Sequence, residues 1–329
     1  MARALSPAAN AFCAQLGIRY PVIGGAMYPC SNPELTAAVS EAGGIGILQP
    51  ISLTYVHGHD YRAGIRFMRE LTDKPIGMNA LIEKSSKKYQ QRMSEWIDIA
   101  LEEGINFFVT SLGKPDWVAQ RVHAAGGLVY HDVTELKWAK IGLDCGADGL
   151  ICVNRRAGGH AGQKSMQQLY DELQLLGAPL VCAGGVGGND ELWQALDLGY
   201  AACQLGTRFI ASEECRASAV YKQAILDAEE NDIVLSERLT GVPVAVINTD
   251  FIKRSGTRVG RFSRWMLAGS KTRHWMRLFF GLKSIWQLKR SSLDEQGDKD
   301  YWQAGKSAGS INRIDTCAAI MQELMNGEN

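Results

Sequence analysis

Eight short apolar runs recur along the chain, and their even spacing constrains the fold more than any other feature of the sequence. Seven intervals separate Tyr20, in the first run, from Ala202, in the last, so the mean spacing is 26 residues. That is about the length of one strand, one helix and two loops. The runs are YPVIG (20–24), GIGIL (44–48), PIGMN (75–79), NFFVT (106–110), LVYHD (128–132), DGLIC (148–152), PLVCA (179–183) and ACQLG (202–206).

The segments between these runs have the pattern of amphipathic helices. Segments 32–42, 134–144 and 189–198 each begin at or near a capping residue, for example Asn32 or Thr134. Largely apolar strands that alternate with helices are typical of an α/β protein whose parallel sheet is covered on both faces. Eight such strands predict closure into a TIM (β/α)8 barrel, with an open doubly wound sheet as the alternative.

The regular spacing ends after the eighth run, which predicts a further element near the C-terminus. Helical patterns continue from there, and we interpret 225–305 as a helical, basic lid over the barrel mouth. The barrel itself is predicted over 1–224 and 306–329, with 306–326 as its closing helix. A chain of 329 residues is long enough for one barrel with such an elaboration.

The lid is unusually basic. Between Lys253 and Arg290 stand eleven Lys or Arg residues and no Asp or Glu, although the whole chain balances 35 against 35. One hypothesis is a surface for nucleic acid or anionic lipid. The other, which we favour, is a charged outer face on helices that pack their aromatic residues onto the barrel. Those aromatics are Trp265, Trp275, Trp286, Phe279 and Phe280.

Composition and the lack of a targeting segment predict a globular protein of the cytoplasm. Apolar residues make up 46% and charged residues 21% of the chain, and neither a signal peptide nor a membrane span is visible. His57 and His59 stand beside Asp60, but no third ligand follows at metal spacing, so we expect no metal site. The eight cysteines form no CxxC pair and are predicted to be reduced thiols.

Two glycine-rich motifs follow the seventh and eighth runs, and together they indicate a phosphate site. They read AGGVGGND (183–190) and QLGTRF (204–209). Glycine lets backbone N–H groups approach a phosphate, a helix N-terminus adds positive potential, and a Thr hydroxyl is a further donor. These adjacent loops are where barrels of this class bind phosphate. The predicted phosphate-binding residues are Gly184, Gly185, Gly206 and Thr207.

The loop after the sixth run is NRRAGGHAGQ (154–163), and it carries the candidate catalytic residue. His160 is flanked by glycines at the catalytic end of a barrel strand, where a lone histidine is a candidate acid or base. The first run ends in small residues that would let a flat ring lie against the backbone. The third run ends in Asn79, whose amide can both donate and accept a hydrogen bond.

Taken together, GGAM, GMN, AGGHAG, AGGVGG, QLGTRF and the later AGKSAG (304–309) resemble the nitronate monooxygenase family, formerly called 2-nitropropane dioxygenase. This family includes FMN-dependent enoyl-ACP reductases and related NADH:quinone reductases. The resemblance implies FMN in a TIM barrel, with the phosphate on the predicted glycine loops and His160 facing the flavin. It also implies an isoalloxazine near the first and third strands. The full predicted cofactor set is Gly25, Ala26, Met27, Asn79, His131, Gly158, Gly159, Gly184, Gly185, Gln204, Gly206 and Thr207.

The resemblance further implies an oxidoreductase that oxidises alkyl nitronates with O2 to a carbonyl compound and nitrite. Neutral nitroalkanes would also react if His160 takes the α-proton. The alternative is an FMN-dependent NAD(P)H reductase of enoyl thioesters or quinones. We expect a small-molecule substrate and O2 as partners and no nucleic acid, and the sequence leaves a homodimer open.

Two departures from the family pattern bear on the site. Arg156, preceded by Arg155, stands where the family often has Glu before AGGH. Where some reductase members have Lys after the fifth strand, this chain has His131 and Asp132. The two arginines could favour an anionic substrate through their local field, or they could simply reach solvent.

Overall fold

A computed structural model of the chain describes residues 3–83, 87–238, 241–258, 287–294 and 301–327. Eight parallel strands pair in sequence order, and the eighth pairs with the first, so the sheet closes into a barrel. The predicted TIM (β/α)8 barrel is therefore confirmed, and the open doubly wound sheet is wrong. The strands are β1 (Val22–Gly24), β2 (Ile45–Leu48), β3 (Ile76–Leu81), β4 (Phe107–Ser111), β5 (Leu128–Val133), β6 (Gly149–Val153), β7 (Leu180–Ala183) and β8 (Ala202–Leu205).

Helices connect the strands and cover the outside of the barrel. They begin close to the predicted caps: one follows Asn32 directly, and another begins at Asn189, as predicted. The segment predicted from 134 begins two residues later because β5 continues to Val133. The helices are α1 (Pro7–Leu16), α2 (Pro33–Glu41), α3 (Tyr61–Leu71), α4 (Lys87–Glu102), α5 (Asp116–Ala124), α6 (Leu136–Asp144), α7 (Met166–Leu173), α8 (Asn189–Leu198), α9 (Thr207–Ile210), α10 (Ala219–Leu226) and α11 (Asp250–Ser255).

The barrel interior is a packed core at its N-terminal end. Helix α1 closes that end, and its Phe12 meets Tyr130 edge-on with the ring centroids 5.8 Å apart. Ile23, Ile47 and Val181 belong to the same buried cluster. Because apolar side chains fill this end, the polar chemistry is left to the opposite end, where the strands finish.

The segment predicted as a wholly helical lid contains a strand pair. Strands β9 (Ile233–Ser236) and β10 (Val244–Ile247) form an antiparallel two-stranded sheet, so the helical prediction over 225–305 is wrong at this point. The four residues of β10 are all buried, which reflects packing against the barrel loops. The residues predicted as its aromatic core, Trp265, Trp275, Trp286, Phe279 and Phe280, lie outside the described residues.

The C-terminal segment is also more broken than predicted. A 3-10 turn spans Lys306–Ser310, and an α-helix then runs over Cys317–Asn326 with Thr316 as its cap. The first part does not extend as α-helix because it packs into the barrel loops. Among the described residues no helix has the length and apolar character to cross a bilayer. All eight cysteines are free, as predicted.

Candidate active site

A layer of inward-facing residues lies at the carboxyl end of the barrel. Alternate strands contribute to each layer of a TIM barrel. With the observed strand register, Gly25, Asn79, Asp132 and Ala183 share one layer, contributed by β1, β3, β5 and β7. Gln204 of β8 lies directly against it, since a Cβ built on Gly25 would stand 3.0 Å from the Gln204 Cγ. The floor of the barrel mouth is therefore polar on several sides.

Two polar atoms of this floor are buried without a partner. The Oδ1 of Asp132 and the Oε1 of Gln204 have no hydrogen-bond partner among the described residues. By contrast, the Asn79 amide donates to the Val109 carbonyl at 3.2 Å. Burial raises the pKa of Asp132 to about 7, because a charged carboxylate is poorly solvated there. Buried polar atoms usually have a partner, and a polar ligand on this floor would satisfy both.

The loop that follows β1 lies beside the loop that follows β8. A Cβ built on Gly206 would stand 3.4 Å from the Met27 sulfur, so the predicted residues of these two loops are neighbours. Ala26 of the loop after β1 is partly buried and packs against the apolar barrel core. Small residues at Gly25 and Ala26 keep the backbone open toward the floor. A flat ring could lie against this backbone, as the sequence predicted.

The loop after β7 needs its two glycines. Gly184 and Gly185 have φ angles of +111° and +78°, a region that favours glycine. A Cβ built on Gly184 would stand 2.5 Å from the Ala157 amide nitrogen, so the loops after β6 and β7 touch. The Gly185 amide has no acceptor among the described residues. It is therefore available to a ligand at the N-terminal side of α8.

Thr207 opens the short helix after β8, and its hydroxyl already has one contact. Its oxygen accepts a hydrogen bond from the Gly305 amide at 2.9 Å, which leaves the hydroxyl proton free to donate. The Thr207 amide, like that of Gly185, has no acceptor within the described part of the chain. The Gly185 amide, the Thr207 amide and the Thr207 hydroxyl proton are thus donors left for a ligand, as an anion site requires.

The loop after β6 is held in place by the C-terminal segment and by β10. A Cβ built on Gly158 would stand 3.0 Å from the Gly305 amide nitrogen. The Gly159 carbonyl accepts a hydrogen bond from Ala245 at 2.8 Å. His160 follows directly and is an exposed residue of this loop. The atoms packed around its imidazole still desolvate the ring in part, which lowers its pKa and favours the neutral form.

His131 does not join the other predicted residues. Its Cδ2 would lie 2.9 Å from a Cβ built on Gly142 of α6, so the imidazole faces the helices outside the barrel. The Nδ1 atom is 2.8 Å from the hydroxyl of Thr110. Burial lowers the His131 pKa to about 4. We therefore leave this residue out of the candidate site, because side chains alternate between the two faces of a strand.

Asp132 is the site residue that sequence reasoning did not select. The strict alternation of β5 is a usable signal, since Asp132 and the buried Tyr130 must share one face. The other predicted site residues meet at one end of the barrel, the end at which all eight strands finish.

Within the described residues no cluster of three His, Cys, Asp or Glu could hold a metal ion. His57, which stands beside Asp60 in the sequence, has its Nε2 atom 3.2 Å from the Pro29 carbonyl oxygen.

The chain is similar to a known sequence family over nearly its whole length. The sequence model described as nitronate monooxygenase matches residues 10–327. A probable nitronate monooxygenase from Staphylococcus saprophyticus is 27% identical, in a match that covers 73% of this chain and 78% of that protein.

Two further relatives match more of the chain. The (3aS,4S,5R,7aS)-5-hydroxy-7a-methyl-1-oxo-octahydro-1H-indene-4-carboxyl-CoA dehydrogenase from Rhodococcus jostii is 25% identical, over 94% of this chain and 93% of that protein. Among solved structures, FabK from Thermotoga maritima superimposes with a TM-score of 0.79 at 26% identity, over 96% of this chain and 95% of FabK. The similarity therefore includes the barrel and the C-terminal segment that packs on it.

Proposed function

The chain belongs to the nitronate monooxygenase family, and from that premise we propose that it is an FMN-dependent enzyme that oxidises alkyl nitronates with O2 to a carbonyl compound and nitrite. One observation carries the proposal. Unpartnered polar atoms on the floor of the barrel mouth lie at the same end as unpartnered loop amides and glycine turns. A ligand with a polar ring system at one end and a phosphate at the other would satisfy both.

The phosphate of FMN would be held by the loops after β7 and β8. Gly184 and Gly185 would bring backbone donors close to it, and Gly206 would leave room beside the Met27 side chain. The Thr207 hydroxyl would donate a further hydrogen bond to the phosphate. Gly158 and Gly159 would border the phosphate from the loop after β6, which touches the loop after β7.

The flavin ring would lie over the polar floor. Gly25, Ala26 and Met27 would support it with backbone and small side chains, while Asn79 and Gln204 would offer amide groups to its polar edge. Asp132, which we add to the set, would hold a proton on its carboxyl near neutral pH and could donate it in a hydrogen bond. When bound, FMN supplies the electron-transfer chemistry between substrate and O2.

His160 would act on the substrate rather than on the cofactor. Its lowered pKa keeps the imidazole neutral, so Nε2 or Nδ1 can accept the α-proton of a neutral nitroalkane. A nitronate has already lost that proton and would need no base. The solvent-exposed position of the side chain allows the proton to pass on to water.

A second candidate function is oxidation or reduction of an acyl thioester at the same flavin. It is favoured by the carboxyl-CoA dehydrogenase from Rhodococcus jostii, which matches 94% of this chain, whereas the probable nitronate monooxygenase matches 73%. Such a substrate carries a flexible, phosphate-rich carrier group and needs a cationic surface near the mouth. Arg155 is exposed in the loop after β6, where it could meet such a group.

The decisive experiment mixes the purified yellow protein anaerobically with propyl-2-nitronate and, separately, with NADH, while flavin absorbance is followed. Loss of flavin absorbance with the nitronate alone supports nitronate oxidation. Bleaching by NADH alone rejects it in favour of the reductase alternative, whose substrates are then sought among enoyl thioesters and quinones. Heat release of the cofactor followed by mass spectrometry identifies the flavin, and a flavin other than FMN overturns the cofactor assignment.

A further inference from the structure

Arg156 lies against the backbone of the predicted phosphate loop. A Cβ built on Gly185 would stand 2.7 Å from the Arg156 Nε and 2.9 Å from its Cδ. The guanidinium end of Arg156 therefore covers Gly185, whose amide has no acceptor among the described residues. This contact is between the loops after β6 and β7, at the mouth of the barrel.

The Nε of Arg156 is a donor without an acceptor. It is buried and has no hydrogen-bond partner within the described part of the chain. The Arg156 side chain as a whole is 36% exposed. An arginine donor that is both buried and unpaired is costly, because the guanidinium is always charged. An anion beside Gly185 would satisfy it.

Glu230 orients this guanidinium, and it also pairs with a second cation, Lys306. Its carboxylate lies 3.1 Å from the Arg156 Nη2 and 3.6 Å from the Lys306 Nζ. The Lys306 amide also donates to the Arg156 carbonyl at 2.9 Å. Arg156 and Lys306 therefore share one carboxylate, and the 3-10 turns that carry Glu230 and Lys306 pack together.

We propose that Arg156 is a phosphate-binding residue, whose guanidinium pairs with the phosphate of the flavin held by Gly184 and Gly185. The proposal rests on the proposed function, since it assigns the counter-charge of that same cofactor. Backbone amides and a Thr hydroxyl donate hydrogen bonds but carry no charge, whereas the phosphate of FMN is close to doubly charged at neutral pH. Arg156 supplies the missing positive charge, and Glu230 fixes its direction.

The test separates the phosphate from the ring by comparing two flavins. Full-length protein is freed of flavin by dialysis and titrated with FMN and with riboflavin, which lacks the phosphate. Arg156→Gln is expected to weaken FMN binding about 10- to 100-fold and to leave riboflavin binding within about 2-fold of wild type. Arg156→Lys keeps the charge and should retain part of the preference for FMN. Arg155→Gln is the matched control, and it should change neither affinity.

Two outcomes would overturn the proposal. In the first, Arg156→Gln changes neither the FMN affinity nor the riboflavin affinity. In the second, it weakens both flavins equally, which would make Arg156 a support for the loop alone. Higher salt should reduce the FMN preference of wild type more than that of Arg156→Gln, since an ion pair is screened.

A phosphate titration distinguishes failure of this proposal from failure of the proposed function. If the wild type binds neither flavin, the proposed function fails. The anion site then stands only if inorganic phosphate raises the melting temperature of wild type and of Arg155→Gln, but not of Arg156→Gln. If phosphate has no such Arg156-dependent effect, the proposal fails as well.

Discussion

The side chains of His131 and Asp132, consecutive residues of β5, lie on opposite faces of the barrel wall. The imidazole packs against Gly142 of α6 outside the barrel, whereas the carboxyl faces the polar floor of the mouth. Burial moves the two pKa values in opposite directions, to about 4 for His131 and to about 7 for Asp132. Each shift disfavours the charged form of its group, and each makes folding depend on pH.

The stability of Asp132→Asn, compared with that of wild type, should increase as pH rises. An unfolded Asp loses its proton near pH 3.9, whereas folded Asp132 keeps it until about pH 7. Wild-type stability should therefore decline as pH rises between those values, and Asn, which cannot ionise, removes this decline. We expect the free energy of unfolding of the variant, relative to wild type, to rise by on the order of 4 kcal/mol from pH 4 to pH 8. Denaturant titrations at both pH values measure it, and a difference that is independent of pH would contradict the assigned burial of Asp132.

His131→Gln should show the opposite dependence. Unfolded His takes up a proton near pH 6.5, but folded His131 does so only near pH 4. Wild type should lose stability as pH falls through that window, because only the unfolded chain gains the proton. The variant lacks this loss, so its free energy of unfolding, relative to wild type, should rise by on the order of 3 kcal/mol from pH 8 to pH 4. Its flavin content at neutral pH should be unchanged, and a variant without flavin would return His131 to the site.

Gly185→Ala should remove most of the bound flavin. The positive φ of Gly185 makes any side chain strained, and the added Cβ would meet the Arg156 guanidinium at 2.7 Å. Gly177→Ala is a matched control, since Gly177 has a φ of +73° and open space around it. Both variants should lose roughly 1–2 kcal/mol of stability from backbone strain, but only Gly185→Ala should also lose most of its bound flavin. The ratio of flavin to protein absorbance after purification decides the question, and equal flavin content in the two variants would exclude Gly185 from the phosphate site.

His160→Asn should separate neutral nitroalkanes from nitronates. Loss of a general base lowers turnover of a substrate that must give up a proton by about 100- to 10,000-fold. A nitronate needs no deprotonation, so its oxidation should fall far less. Steady-state rates with 2-nitropropane and with its preformed anion provide the comparison. Unchanged turnover of the neutral compound would remove His160 as the base, and equal loss with both would indicate a role in binding.

The alternation of apolar runs and amphipathic segments was sufficient to predict the barrel. Each strand of a parallel barrel is buried on both faces, so its apolar character is visible locally, without knowledge of its neighbours. The glycine pair after β7 was similarly visible, because a left-handed turn at Gly184 or Gly185 calls for glycine whatever surrounds it. These features depend on short stretches of chain.

Two features could not be predicted in this way: which side chains of β5 point into the barrel, and the secondary structure of the lid. The run LVYHD predicts that Tyr130 and Asp132 lie on the same face of the strand. It does not predict whether that face is inside or outside the barrel. The strand β10 was predicted as helix, although β9 lies close to it in the chain, because part of its pairing is a bridge from Ala245 to Gly159, which is distant in sequence. Contacts of this kind override local propensity.

The sequence by itself therefore determined the closed barrel and the two loops suited to a phosphate, since both follow from local periodicity and backbone requirements. Only the tertiary structure decided that Asp132, and not His131, faces the floor of the mouth. It alone also placed Arg156 over Gly185, between Glu230 and Lys306. Those placements depend on strand register and on loops that meet across the barrel end, where residues far apart in the chain become neighbours.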